Sequence, residues 1–153
     1  MDNLSDTGRM TAAGQYEPSV VSWVRDEVEH IERTGCGLRG RSVVLLTTVG
    51  ARTGLLRKTP LMRVTQRGIY VAVASMAGSD RHPHWYANAL AHPDVELRDG
   101  DRILSLHARE VTGPERAGWW SLACTVFPSY VDYQRRTRRA IPLLLLEPDR
   151  SNP

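Results

Sequence analysis

Hydrophobic positions change period several times along this chain, and each change marks a predicted element. In "PSVVSWVRDEVEHIERTG" the residues Val20, Val24, Val28 and Ile31 recur at helical spacing, with Ser19 as a candidate N-cap and Gly35 just past the end. The outer face of that helix carries Asp26, Glu27, Glu29 and Glu32 beside Arg25 and Arg33, so it is expected to pack on the core rather than lie on an anionic membrane. Next come "SVVLLTT" (42–48), "LRKTPLMRVT" (56–65) and "GIYVAVAS" (68–75), all apolar or alternating. The short links between them, "VGARTG" and "QRG", suit antiparallel neighbours, because a parallel crossover takes a dozen residues or more. "HPHWYANALA" reads as a short helix with Pro83 in its first turn and Pro93 after its end. "DVELRDGDRILSLHAREV" reads as a hairpin about Asp99-Gly100. Thr112 and Glu115 stand in capping-box spacing at the head of "TGPERAGWWSLACTV", which Pro128 stops, and a polar helical piece, "SYVDYQRRTRR", follows. The apolar run in "AIPLLLLEP" is too short for most helices and reads as a fully buried strand.

Six strands joined mainly by hairpins, with a few helices outside, predict a mainly β fold in the form of a small antiparallel barrel, whose closure removes exposed strand edges. An open sheet covered by helices on one face is the alternative. Residues 1–17 lack periodicity and are expected to be disordered or loosely attached, which leaves 18–150 as one domain. A chain of 153 residues with 41% hydrophobic content can bury a single sizeable core. No apolar run approaches the ~20 residues of a membrane helix. The polar N-terminus lacks the apolar centre of a signal peptide, so a cytoplasmic protein is expected. Cys36 and Cys124 stand far apart in no metal or redox spacing and read as plain thiols.

Charge changes this picture in one stretch. The net charge is only +3, yet no acidic residue falls between Glu32 and Asp80, where Arg33, Arg39, Arg41, Arg52, Arg57, Lys58, Arg63 and Arg67 all lie. A one-sign stretch built into strands suits an anionic partner such as a phosphate-bearing cofactor or nucleic acid, or is a basic face without function. In "TTVGARTGLLRKTP" the glycines at 50 and 54 can take positive φ beside Arg52, Arg57 and Lys58. Phosphate binding and a plain hairpin turn with exposed cations both fit; a Walker loop does not.

Other candidates have two readings each. Ala72 and Ala74 share one face of their strand, opposite Ile69, Val71 and Val73. Small residues there leave room for a flat ligand or for a bulky neighbour from a helix. The Ser75 hydroxyl at the strand end could meet a ligand or cap the next turn. His82, His84 and His92 lack metal-ligand spacing and no nucleophile motif accompanies them, so no metal is expected. Tyr130 and Tyr133, three apart on a helix with Phe127 and Pro128, make an aromatic patch that packing or a ligand would explain. The run "RRTRR" (135–139) is either a solvated helix end or a nucleic-acid contact, and Trp119 and Trp120 read as core and rim.

Taken in order, "LLTTVGARTG", "RKTPLMRV", "VASMAGSDRHPHWYANALAHPDVEL", "AREVTGPERAGWW" and "FPSYVDYQRRTRRAIPLLLLEP" resemble the deazaflavin-dependent nitroreductase family, actinobacterial oxidoreductases that use coenzyme F-420. The resemblance implies a split antiparallel β-barrel of the FMN-binding-protein type with peripheral helices. It implies hydride transfer from reduced F-420 to a quinone, nitro compound or similar conjugated acceptor. The implied partner is that small molecule, with no nucleic acid, no stable membrane insertion, and a monomer or homodimer. By the same resemblance Gly50, Arg52, Thr53, Gly54, Arg57, Lys58, Thr59, Pro60, Ala74, Ser75, Met76, Ala77, Trp85 and Asn88 contact the cofactor. Arg52, Arg57 and Lys58 would hold its phosphate and acidic oligoglutamate tail. Ser75, Tyr130 and Tyr133 take the catalytic assignment, and Met62, Phe127, Tyr130 and Tyr133 line the acceptor side. Ala51 and Met76 stand where some relatives have basic residues, and Met62 and Phe127 stand where the nitroimidazole-reducing type has tyrosines, which favours a quinone. The location is then cytoplasmic, peripheral to the membrane if the quinone is menaquinone. An FMN-binding oxidoreductase of the same barrel type and a non-catalytic deazaflavin carrier are the alternatives.

Overall fold

The computed structural model describes residues 14–148. Along the chain lie α1 (Ser22–Thr34), β1 (Val43–Val49), β2 (Leu56–Met62), β3 (Thr65–Gln66), β4 (Ile69–Val73), α2 (His84–Ala91), β5 (Asp94–Asp99), β6 (Arg102–Glu110), α3 (Gly113–Val126), α4 (Ser129–Arg135) and β7 (Leu143–Pro148). The strands form one sheet in the order β2-β1-β5-β6-β7-β4-β3, and every ladder is antiparallel.

The two end strands of that sheet are consecutive in sequence. β2 pairs with β1 from Val49↔Leu56 to Val43↔Met62, and β3 pairs with β4 at Thr65↔Tyr70. Between them the chain bends, and the Val71 N–H donates to Val64 O at 2.9 Å. The stretch 56–66 is therefore one bent strand shared by both ends of the sheet, which closes into a split barrel. The six-strand expectation holds when this strand is counted once, and the open-sheet alternative does not survive.

Burial on both sides of β7 explains its unbroken leucine run. Leu144 and Leu146 face the interior with Val44, Leu46, Tyr70, Ala72, Ala74, Val95, Leu97 and Leu106. Leu143 and Leu145 face outward with Val71 and Val73 into a second cluster covered by α3 and α4. A strand buried on two faces loses the apolar–polar alternation, and each buried leucine contributes about 1.5–3 kcal/mol. On the far side α1 lays Val28 and Ile31 over Val43 and Leu45 of β1.

Several boundaries differ from the sequence reading for identifiable reasons. Helix α1 begins at Ser22 with Val21 at the N-cap, because the Ser19 hydroxyl accepts from Val21 N–H (3.1 Å) one step ahead of the helix. Glu27, expected on its outer face, is fully buried and accepts from Leu38 N–H (3.3 Å) and from Arg41. Gly35 does end the helix, at φ 82°. Thr112 sits at the N-cap of α3 without a side-chain bond, and Glu115 turns instead to Arg109 (2.7 and 3.2 Å), so no capping box forms. Pro83 is the N-cap of α2 rather than part of its first turn, and the hairpin turns on Gly100 and Asp101, one residue later than expected. Residues 15–17 are attached to the barrel, since Leu56 N–H donates to Gln15 O (2.7 Å) and Glu17 N–H to Leu56 O (2.8 Å). The rest of the expected loose tail, residues 1–13, lies outside the described residues. Among the described residues no helix is long and apolar enough to cross a membrane.

Candidate active site

Where β4 ends, the chain enters a strained loop. Met76, Ala77 and Gly78 take φ of 46°, 54° and 83°, three left-handed residues in succession, two of which are not glycine. Such residues cost roughly 1–3 kcal/mol each and persist where surrounding structure over-determines them. Ser75 before them is right-handed (φ −80°, ψ −37°). A right-to-left-handed step turns successive backbone N–H groups toward one point, a shape that receives anions.

Helix α4 and the turn after it supply the constraint. A Cβ on Gly78 would lie 2.9 Å from Tyr133 O and 3.0 Å from Arg136 Cβ, so glycine lets the loop seat on α4. Arg136 Nη1 donates to Ala77 O (3.3 Å) and Thr137 Oγ1 to Asp80 Oδ1 (2.8 Å). Arg139 donates to Ser79 O (2.8 Å), Ala74 O (3.1 Å) and Ser75 O (2.9 Å). Burial draws the Arg139 pKa below its usual value, with Asp80 opposing, and the group stays cationic. Asp80 and residues 135–139 line a surface cavity of about 540 Å³.

The same helix builds an aromatic wall. The Phe127 ring meets Tyr130 edge-on at 4.9 Å and Tyr133 at 6.0 Å, and Tyr130 lies 6.2 Å from Tyr133 and 6.3 Å from Trp120. Met62, from the end of β2, packs against this cluster. Tyr130 is buried, and burial chiefly pushes its phenol far above the ordinary value, so it is a neutral donor at any working pH. Tyr130 Oη has no hydrogen-bond partner among the described residues, and neither does the hydroxyl of buried Ser75. A buried hydroxyl left unpaired costs about 1–3 kcal/mol. Two of them, at the loop and the helix that meet here, fit a ligand with polar atoms.

The remaining assigned residues separate into groups. Ala74 and Trp85 sit in the barrel interior: Trp85 and Ala89 of α2 share the cluster with Ala72 and Ala74, so a helix rather than a flat ligand answers the small residues. Asn88 is buried with both ends of its amide engaged, Oδ1 accepting from Ala51 N–H (2.9 Å) and Nδ2 donating to Thr48 Oγ1 (3.3 Å). Both bonds hold the turn. In that turn Gly54 takes φ 72°, whereas Gly50 has no positive φ and provides room, a Cβ there falling 2.7 Å from Thr53 Oγ1. The Thr53 hydroxyl accepts from Leu55 N–H (3.1 Å), and Arg52 is exposed. Thr59 and Pro60 pair with Leu46 and Leu45 of β1.

Arg57 and Lys58, expected beside Arg52 on the cofactor's anions, are already engaged. Neighbours in a strand leave opposite faces, and each of these two already has a carboxylate partner: Arg57 with Glu17 at 2.8 Å, Lys58 with Glu32. Lys58 also stands 4.6 Å over the Tyr16 ring. The sequence reading missed these carboxylates because they lie far from β2 along the chain, and it missed Arg139 because a basic run at a helix end looks solvated. Among the described residues no group of three or more His, Cys, Asp or Glu side chains is placed to hold a metal ion.

Comparison with known proteins identifies the family. The family model for F420H(2)-dependent quinone reductase matches residues 21–148. The F420H(2)-dependent quinone reductase Rv1261c of Mycobacterium tuberculosis is 37% identical over 106 residues, which cover 67% of this chain and 71% of that protein. A solved F420-H2 dependent reductase, FDR-A, is 47% identical with a TM-score of 0.66 over 70% of this chain and 95% of its own. A second solved relative, a domain-swapped dimer, is 44% identical with a TM-score of 0.68 over 84% of this chain and all (100%) of its own. The chain belongs to the F420H(2)-dependent quinone reductase family.

Proposed function

We propose that this chain, an oxidoreductase of that family with F-420 as its cofactor, reduces a quinone where the 74–78 loop meets α4. The observation that carries the site is the pair of buried hydroxyls, Ser75 Oγ and Tyr130 Oη, without partners among the described residues, beside a loop shaped to receive an anion. Bound and reduced, F-420 supplies both electrons together as a hydride. The chain itself has to hold donor and acceptor at reacting distance, exclude water, and present hydrogen-bond donors to the oxygen that gains charge.

Tyr130 suits the last task, because its phenol is neutral and has no competing partner among the described residues. Ser75 offers a second donor, and the N–H groups about Met76 and Ala77 face the cofactor's anionic groups, with exposed Arg52 adding charge. Phe127, Met62 and Tyr133 form the wall of the acceptor pocket. Met62 and Phe127 bring no hydroxyl, which favours a quinone over a nitro compound. Arg57 and Lys58 exchange Glu17 and Glu32 for cofactor anions. The domain-swapped dimer among the relatives supports a homodimer.

Titration of the purified protein with F-420 and with FMN, followed by supply of reduced F-420 with menadione or a nitroimidazole, tests this. The expected result is preferential F-420 binding and faster menadione reduction. Tighter FMN binding, or a faster nitroimidazole, would overturn the reading.

A further inference from the structure

We infer that Arg139 is a positioning residue for this reaction: its guanidinium holds residues 74–82 in the shape that receives the cofactor, without touching cofactor or acceptor. The inference rests on the proposal above that this loop belongs to the cofactor site.

The loop is a segment that would relax if released, because Met76 and Ala77 sit in a conformation that side chains disfavour. Arg139 reaches both sides of that segment. Ahead of it the guanidinium binds the carbonyls of Ala74 and Ser75, beyond it the carbonyl of Ser79, and Nη1 also lies 3.0 Å from Nδ1 of His82. Three carbonyls and a ring nitrogen from one loop therefore converge on one planar group, and the strained residues are pinched between them. An ammonium has three donors on a point charge and cannot match a fork with five.

Arg139 is itself held. Its N–H donates to Thr137 Oγ1 (3.3 Å), and its carbonyl accepts from Gln134 Nε2 (2.8 Å), whose other amide end accepts from Ile141 N–H (3.0 Å). Gln134 lies in α4, the helix that carries Tyr130 and Tyr133. One residue thus ties the strained loop to the aromatic wall, and the two halves of the candidate site take their relative positions from it. The other ties across this contact, Arg136 to Ala77 O and Thr137 to Asp80, each reach a single acceptor.

The test uses the full chain with Arg139→Ala, Arg139→Lys and Ser75→Trp, reading F-420 affinity by fluorescence titration and quinone reduction with cofactor varied. Both Arg139 variants should lose about tenfold or more in F-420 affinity, the scale of one lost charge-assisted bond. The loss should fall on the cofactor KM more than on kcat at saturation. Millimolar guanidinium ion should restore affinity to the alanine variant and leave the wild type unchanged. Full affinity in Arg139→Lys, or no restoration by guanidinium, would overturn the positioning role, and the lysine variant carries the test if the alanine variant does not fold. Ser75→Trp separates the two ideas. If it leaves F-420 affinity intact, the loop is not in the cofactor site; if it abolishes binding while Arg139→Ala does not change it, only the role of Arg139 falls.

Discussion

Strands β4 and β7 have two buried faces, and the faces differ in kind. Inside the barrel Ala72, Ala74, Leu144 and Leu146 meet Trp85 and Ala89, and the nearby polar pair, Thr48 and Asn88, satisfies itself. Outside, Val71, Val73, Leu143 and Leu145 meet Tyr130, with Met62, Phe127, Tyr133 and Trp120 only partly buried around it, and the Tyr130 and Ser75 hydroxyls have no partners among the described residues. Among the described residues the inner polar pair is satisfied, whereas the outer hydroxyls are not. On the site proposed above, stability and chemistry lie on opposite sides of the same two strands, and substitutions on the two sides should separate them.

The sharpest separation comes from the inner side. Leu146→Ala removes a side chain that is 1% exposed and should cost about 2–5 kcal/mol of unfolding free energy in a denaturant titration, with the F-420 KM of the folded enzyme unchanged. A raised KM without loss of stability would break the division of roles. Asn88→Ala should cost about 1–3 kcal/mol, because the Ala51 N–H and the Thr48 hydroxyl lose their partner. Rescue of stability by Asn88→Asp should be partial, since a carboxylate can accept from both the Ala51 N–H and the Thr48 hydroxyl but places a charge in a buried site.

On the outer side the sign reverses. Tyr130→Phe deletes a buried hydroxyl that has no partner among the described residues, so melting should stay level or rise. Quinone reduction should fall by the ~0.5–1.5 kcal/mol of one hydrogen bond, roughly two- to tenfold. A variant that is both less stable and fully active would assign Tyr130 to packing.

The sequence made the inner side legible and the outer side only in part. Helical spacing in α1, the two-residue hairpin turn and the short leucine run of β7 are local signals, and six strands with short links leave few topologies. The aromatic set on α4 was also local, since Tyr130 and Tyr133 are three residues apart. What stayed hidden depends on distant partners. Glu27 turned inward because Arg41 and Leu38 meet it, Arg57 and Lys58 found Glu17 and Glu32, and Asn88 was claimed by Ala51. Arg139 sits more than sixty residues from the carbonyls of Ala74 and Ser75 that define it (|i−j| of 65 and 64), and nothing in "RRTRR" distinguishes it from its neighbours.

The smallest expected effect compares two tyrosines. Tyr86 donates to Glu110 Oε1 at 2.6 Å, whereas Tyr130 donates to nothing described. Burial first, and then the Glu110 carboxylate, push the Tyr86 phenol up to about 12. An unfolded tyrosine ionises near ~10, so between about 10 and 12 the native state keeps a proton that the unfolded chain has lost. The contribution is complete below the unfolded value and disappears as pH rises through the folded one. Denaturation midpoints measured across that window should fall more steeply in wild type than in Tyr86→Phe. At neutral pH the same Tyr86 change should cost about 0.5 kcal/mol, the low end for a bond that solvent reaches. Equal slopes in wild type and Tyr86→Phe would mean that Glu110 does not hold this phenol in solution, and the contrast between a partnered and an unpartnered tyrosine would then rest on Tyr130 alone.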